Sequence, residues 1–261
     1  MSRTMSRDFY LDVAQGNIAK HSLIHKFGRN SSVGTSFAPV CDGGVYPTPT
    51  TAVSLEFISN DAADALDDTG MHEITIVGLD ANWAEQTVVV AAHATNGTTA
   101  VAITGTWLRV YRAYVSKSGT YASASSGSHV GQITIRVASG GATYAVISNT
   151  DFPRAQTECG AYTVPLGHTA YVLGAIVNID SNKTADVLFF QRPFANDVSS
   201  SYNGTMRTVF ELGSIAGGEE AVEPKSPMGP FVGPCDLGFL GKVSATTGEI
   251  DVDFELLLIQ D

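Results

Sequence analysis

EIDVDFELLLIQ, residues 249–260, alternates apolar and acidic side chains one by one. Ile250, Val252, Phe254 and Leu256 fall on one side, and Asp251, Asp253 and Glu255 on the other. Successive side chains of a β-strand point to opposite faces, so this segment reads as a strand with one face buried and one in water.

The same period of two runs back through the chain. In AVSLEFIS (52–59), Val53, Leu55 and Phe57 alternate with Ser54 and Glu56. HEITIVGLD (72–80) turns Ile74 and Ile76 inward, and QITIRVAS (132–139) sets Ile133, Ile135 and Val137 on one face. In QTVVVAAHATNGTTAVAIT (86–104), Asn96-Gly97 lies between two β-branched runs. Asn-Gly accepts positive φ at both turn positions, which predicts a tight hairpin here. WLRVYRAYVS (107–116), TYAVISN (143–149), AYTVPLGHTAYVLGAIVNID (161–180), KTADVLFFQRPF (183–194) and TMRTVFELG (205–213) extend the series. GGEEAVEPKSPMGP (217–230) reads as a long loop full of breakers. Many short strands without a helical period predict an all-β protein, a jelly-roll-like β-sandwich body of one or two units.

DFPRAQTECG (151–160) is a natural boundary, giving sandwich units over 51–150 and 151–261. Residues 1–50 differ from both. DFYLDVAQGNIAKHSLIHKFG (8–28) offers one short helical segment, and SSVGTSFAPVCDGGVYPTPT (31–50) is irregular. The expectation is an extended N-terminal arm that needs a surface to lie on. Its candidate contact residues, for a partner protein or a sister subunit, are Phe9, Tyr10, His21, His25, Lys26, Phe27 and Arg29. Deleting residues 1–30 should then leave a folded body that no longer assembles.

Charged residues make up 16% of the chain, below the roughly 25% of soluble domains, which suits a surface that meets other protein surfaces. Net charge is −11, yet the first fifty residues hold five Lys or Arg against three Asp. The acid therefore sits in the body, which repels phosphate backbones and argues against nucleic acid as a partner. No stretch approaches the ~20 apolar residues of a membrane span. Cys41, Cys159 and Cys235 form no CxxC pair and are expected as buried free thiols.

Chemistry-bearing motifs are sparse. Gly127-Ser128-His129-Val130-Gly131 has His where a nucleophile elbow needs Ser, and an exposed loop is the expected setting. His21 and His25 would share a helix face as zinc ligands do, but no third ligand accompanies them. Asn60, Asp61, Asp64, Asp67 and Asp68 lack the spacing of a calcium loop and read as a solvated acidic turn. Asp251, Asp253 and Glu255 are what a solvent-facing strand shows, and such acids also discourage edge aggregation. Trp83, Trp107, Tyr111 and Tyr114 could form a sugar platform, though in alternating strands aromatics more often anchor a core or an interface. No enzyme activity, metal or cofactor is expected.

DFYLDVAQGNIAKHSLIHKFGRN (8–30), ITIVGLDANWAEQTVVV (74–90), WLRVYRAYV (107–115) and AYTVPLGHTAYVLGAIV (161–177) resemble, in this order, a family of virion structural proteins of tailed phages, common in marine and cyanobacterial phages. The strand at 88–95, VVVAAHAT, is less polar than that pattern. A looser resemblance links the chain to capsid cement, or decoration, proteins. It implies a homotrimer that binds the major capsid protein on the head exterior, assembled in the host cytoplasm and carried in the virion. The alternative expectation is a tail or head-fibre module that binds a host receptor or glycan through Tyr- and Trp-bearing loops and residues 118–130.

Overall fold

The computed structural model describes residues 8–123, 125–197 and 204–261. Residues 1–7, the start of the expected arm, lie outside them. The described residues are all-β apart from one short α-helix, α1 (Phe9–Ala14), capped by the Asp8 carboxylate, which accepts from the Tyr10 and Leu11 N–H groups. Strands β1 (His21–Val33) and β2 (Ala38–Pro39) follow, with a 3-10 turn at Asp42–Gly44. Next come β3 (Val53–Ser59), β4 (Met71–Leu79), β5 (Glu85–Ala91), β6 (Val101–Trp107) and β7 (Arg109–Ser118). After β8 (Ile133–Val137) and β9 (Thr143–Ile147) stand β10 (Ala161–Val164) and the long β11 (His168–Pro193). The chain closes with β12 (Arg207–Val222), β13 (Met228–Val232), β14 (Cys235–Val243) and β15 (Gly248–Gln260).

All strand pairs are antiparallel. β6-β3-β8-β9 forms one sheet and β5-β4-β7 a second. The large sheet runs β1-β15-β11-β14-β10, with β12 and β13 also on β11 and β2 on β14. β15 keeps the alternation that its sequence announces: Ile250, Val252, Phe254 and Leu256 are buried, and the acids between them are not. Phe189, Phe239 and Phe254 meet in the core of this sheet with ring centroids 4.9 to 5.8 Å apart. Edge-to-face aromatic pairs of this kind add about 0.5–1.5 kcal/mol each beyond the area they bury.

Two apolar cores result. One gathers Leu55, Phe57, Ile74, Ile76, Trp107, Ile133, Ile135 and Ile147 between the two small sheets. The other fills the large sheet and draws in Val33, Val40, Tyr46, Leu79, Trp83, Leu108 and Tyr111 from the first half of the chain. A buried ion pair also joins the halves. Arg109, on β7, donates through Nε (2.8 Å) and Nη2 (3.0 Å) to Asp236 of β14, and neither side chain is exposed. Asp236 also accepts from Arg192 and from the Thr163 hydroxyl, so its lone pairs are well used. Burial alone would raise the Asp236 pKa, but these donors, Arg109 first, hold it below the usual carboxylate value.

Four sequence expectations are corrected. First, Asn96-Gly97 closes no hairpin, because β5 and β6 belong to different sheets. Gly97 has no positive φ; its N–H donates to Ala62 O (2.9 Å) and its carbonyl accepts from Ser59 N (3.0 Å). A Cβ there would lie 2.3 Å from Asp61 O, so glycine is needed for close approach rather than for turn geometry.

Second, residues 21–33 are not an arm. They form a strand whose partners on β15 run from His21 opposite Ile259 to Val33 opposite Gly248. Residues 34–50 hold the two-residue β2 and the 3-10 turn, and their Val40, Cys41 and Tyr46 are buried in the large core. The alternation in 21–33 is masked by Gly28, Arg29 and Asn30, which are buried for reasons of contact and charge rather than hydropathy. Deleting residues 1–30 would therefore strip β15 of its partner on one side, leaving it paired with β11 alone, instead of trimming an appendage. Third, the expected loop at 217–230 begins late: Gly218 to Val222 pair with Ile179 to Ala175 of β11. Long-range pairing overrides the weak strand preference of Gly and Glu. Fourth, β11 runs unbroken through residues 181–183, where two strands were expected.

Candidate interaction surface

The register of β1, β15 and β11 settles which side chains share a face. Phe27 lies opposite Asp253, which lies opposite Ile176; His25 lies opposite Glu255, which lies opposite Gly174. Paired residues point the same way, so His21, Leu23, His25 and Phe27 stand on the outer face with Asp251, Asp253, Glu255 and Ile176. The even residues face inward: Lys26 is paired with Phe254 and Gly28 with Val252, both core residues.

A groove of about 390 Å³ crosses the outer face, lined by His25, Gly174, Ile176, Val222, Asp253 and Glu255. Ile176 is 39% exposed beside it. The His25 imidazole binds the Asp253 carboxylate through Nε2 and sits 6.1 Å from the Phe27 ring. At the far end, α1 presents Phe9, Tyr10 and Leu11 to solvent, while its Val13 is buried. The Phe9 ring meets His21 edge-on at 6.0 Å. Thus five of the seven contact candidates, Phe9, Tyr10, His21, His25 and Phe27, gather along one rim and face with their rings wholly or partly open to solvent.

Lys26 and Arg29 are different, since both side chains are buried and partnered within the chain. Lys26 is buried, with its Nζ on the Tyr111 carbonyl and 5.8 Å from the centre of the Tyr111 ring. Burial pushes its pKa below the ordinary lysine value, against the pull of Cys159 and Cys41. Arg29 is 6% exposed and bonds Asp151 (2.9 Å) and Glu249. Desolvation alone would lower its pKa, but the hydrogen bonds to Glu249 and Asp151 raise it. Both cations are spent inside the molecule, which leaves the exposed part of β1 with aromatic and imidazole groups and little positive charge.

Around Arg29 the acids crowd. Burial, then the neighbouring Glu158 carboxylate, pushes Asp42 up to about 7. Burial, then Glu249, pushes Asp251 up to about 6. These shifts mark carboxylates that are buried among other carboxylates and only partly compensated by Arg29 and Arg154.

The other sequence candidates are structural. Asp64 is fully buried, not a solvated turn residue. It accepts from the Ser59 hydroxyl and from the N–H groups of Met71, Val130 and Gly131. His129 is buried too, with Nδ1 on Gly131 O at 2.7 Å, so its loop is not the exposed one expected. Trp83, Trp107 and Tyr111 lie in the cores, which removes three of the four aromatics a sugar platform would need. Among the described residues no three His, Cys, Asp or Glu side chains converge to hold a metal ion. No described helix is long and apolar enough to cross a membrane.

No family model matches this sequence, and no curated protein does either. Among solved structures, similar chains come from infectious bursal disease virus. The Gx-strain structure is 9% identical over 92% of this chain and 76% of that one, with a TM-score of 0.20. The VP2 subviral particle is 9% identical over 93% and 77%, with a TM-score of 0.18. The T=1 particles give 11% identity over 92% and 74%, with a TM-score of 0.21. Likenesses of this size carry no argument about function.

Signals for the outer face were available in the sequence, since His21, Leu23, His25 and Phe27 recur every second residue. What the sequence did not offer was the partner of that strand, 228 residues away at Asp253.

Proposed function

We propose that the chain is a structural subunit of a tailed-phage particle. Within that class it acts as a cement protein, a homotrimer that binds the major capsid protein on the head exterior. The observation that carries this reading is the outer face of β1, β15 and β11, where ring-bearing side chains flank an open groove on a rigid sheet. Aromatic anchors at the centre of a patch supply most of the binding energy in protein interfaces. A rigid sheet presents them at little ordering cost. The low charge content of the chain and its sequence resemblance to virion structural proteins support the same reading.

The acidic residues of this face, Asp251, Asp253 and Glu255, call for a partner surface with positive charge at its rim. Many weak copies would stabilise a shell by mass action, since a subunit that binds the assembled lattice alone shifts it toward assembly.

The test is co-sedimentation of the purified protein with expanded heads that lack it. Saturable pelleting at a fixed ratio to the major capsid protein is expected. Phe9→Ala/Tyr10→Ala should weaken it at least tenfold, because two partly exposed aromatics cost about 1 kcal/mol or more each when lost from an interface. Heads that pellet without the protein would reject the cement role.

A further inference from the structure

Cys41 and Cys159 face each other across an isolated antiparallel bridge. The flanking hydrogen bonds fix what kind of pair they are. Asp42 N donates to Glu158 O (2.9 Å) and Gly160 N to Val40 O (2.8 Å), while the two cysteines exchange no backbone bond. That is a non-hydrogen-bonded pair, the position where facing Cα atoms come closest, at about 4.5 Å. A disulfide spans Cα separations of about 4.4–6.8 Å. Both residues are buried, Cys41 at 2% and Cys159 at 7% exposure, and both are free thiols. Each thiol lies near enough to shift the ionisation of the other.

We propose that Cys41 and Cys159 are a latent cross-strand disulfide site, closed by exchange with a small disulfide such as oxidised glutathione. This goes beyond the particle role and does not depend on it. The chemistry has an assigned order. The neighbouring Cys41 thiol, against burial and helped by Lys26, holds Cys159 below the ordinary thiol pKa, whereas burial raises Cys41. Cys159 is therefore the attacking thiolate. Its sulfur attacks one sulfur of the small disulfide and expels one thiolate, leaving a mixed disulfide. Cys41 then gives up its proton to solvent, attacks the Cys159 sulfur and expels the second thiolate. Two protein thiols are oxidised to one disulfide, and one small disulfide is reduced to two thiols.

The bond would tie residues 38–42 to residues 158–160 and close a loop that contains the whole core between the small sheets. Loops of this length gain most from cross-linking in the chain-entropy account. Cys235 takes no part: it lies on β14, with its sulfur on the Asp236 carbonyl at 3.7 Å.

The test uses the full chain, purified reduced and equilibrated in a series of reduced to oxidised glutathione ratios. A parallel series is refolded from urea in the same buffers. Free thiols are then alkylated, and the protein is digested and mapped by mass spectrometry. The expected result is a Cys41–Cys159 linked peptide, with Cys235 alkylated, and a midpoint of thermal unfolding raised by about 5–15 °C. A Cys235→Ser variant should behave alike, and Cys159→Ser should lose both the linked peptide and the shift. If both cysteines remain alkylated at the most oxidising ratio in both series, or if the crosslink joins Cys235 or a second molecule, the proposal is wrong.

Discussion

Replacing Asp236 by Ala tests the join between the two halves of the chain. The change strips Arg109 of its 2.8 and 3.0 Å bonds and leaves a guanidinium with no solvent exposure facing an apolar gap. Arg109 Nη1 keeps its bonds to Pro49 O and Leu108 O, but the charge loses its counterion. Removing one partner of a buried ion pair costs about 3–5 kcal/mol, most of it the penalty of the charge left behind. Arg192 is less affected, because its side chain is 15% exposed and can turn toward water. Arg109→Met/Asp236→Leu removes both charges and should be milder than Asp236→Ala, since a buried pair replaced by apolar groups of similar size is often near neutral. Urea unfolding followed by tryptophan fluorescence is the assay, with Trp107 reporting one core and Trp83 the other. With a slope of about 3 kcal/mol/M, the single variant should lower the midpoint by roughly 1–1.7 M. A loss below about 1 kcal/mol, or a double variant worse than the single, would refute the account of Asp236 as the counterion on which the join depends.

Further outcomes follow from contacts already described. Asp42 and Asp251 have folded pKa values near 7 and 6, above the unfolded value, so the native state holds extra protons between about pH 4 and 7. Stability should therefore fall as pH rises from 5 to 8, and Asp42→Asn should flatten the slope; a urea midpoint that climbs over this range would contradict it. Gly28→Ala places a Cβ 2.1 Å from Gly160 N and 2.2 Å from Val40 O, backbone on both sides. It should cost about 3 kcal/mol or more, whereas Gly34→Ala, with nothing within 4 Å, should stay within about 0.5 kcal/mol in the same unfolding assay. Asp64→Ala orphans the buried N–H groups of Met71 and Gly131 and should lose about 2–4 kcal/mol by thermal or urea melts.

What the sequence showed well was anything local and periodic. β15, β3 and β8 could be read from alternation alone, and the strands themselves establish the all-β class. What it hid was set by distant partners. Asn96-Gly97 carries a hairpin signature, but the close approach of Asp61 and Asp64 backbone decides its role instead. The strand at 21–33 looked like an arm because its buried residues include Lys26, Arg29 and Asn30, each matched by a group far along the chain. The outer face was half legible: the ring-bearing residues of β1 were singled out, but only pairing with β15 and β11 shows which of them share it. The burial of Lys26 and Arg29 is not legible in the sequence, because a charged residue reads as exposed until its counterion is known.

The pairing of β1 with β15 also decides how the protein would respond to pulling. His21 faces Ile259, Gln260 N donates to the Lys20 carbonyl, and Lys20 Nζ reaches the Asp261 carbonyl, so residues 20 and 261 leave the sheet side by side. Tension between them would act across the strands and open the ladder like a zipper, each bond in turn carrying the whole load. Tension along the strand axis, applied through the flat faces, would instead be shared by all eleven paired positions at once. A tether drawn from either of those neighbouring ends would release β1 at low force, while a neighbour gripping the sheet by its face would meet its full shear strength.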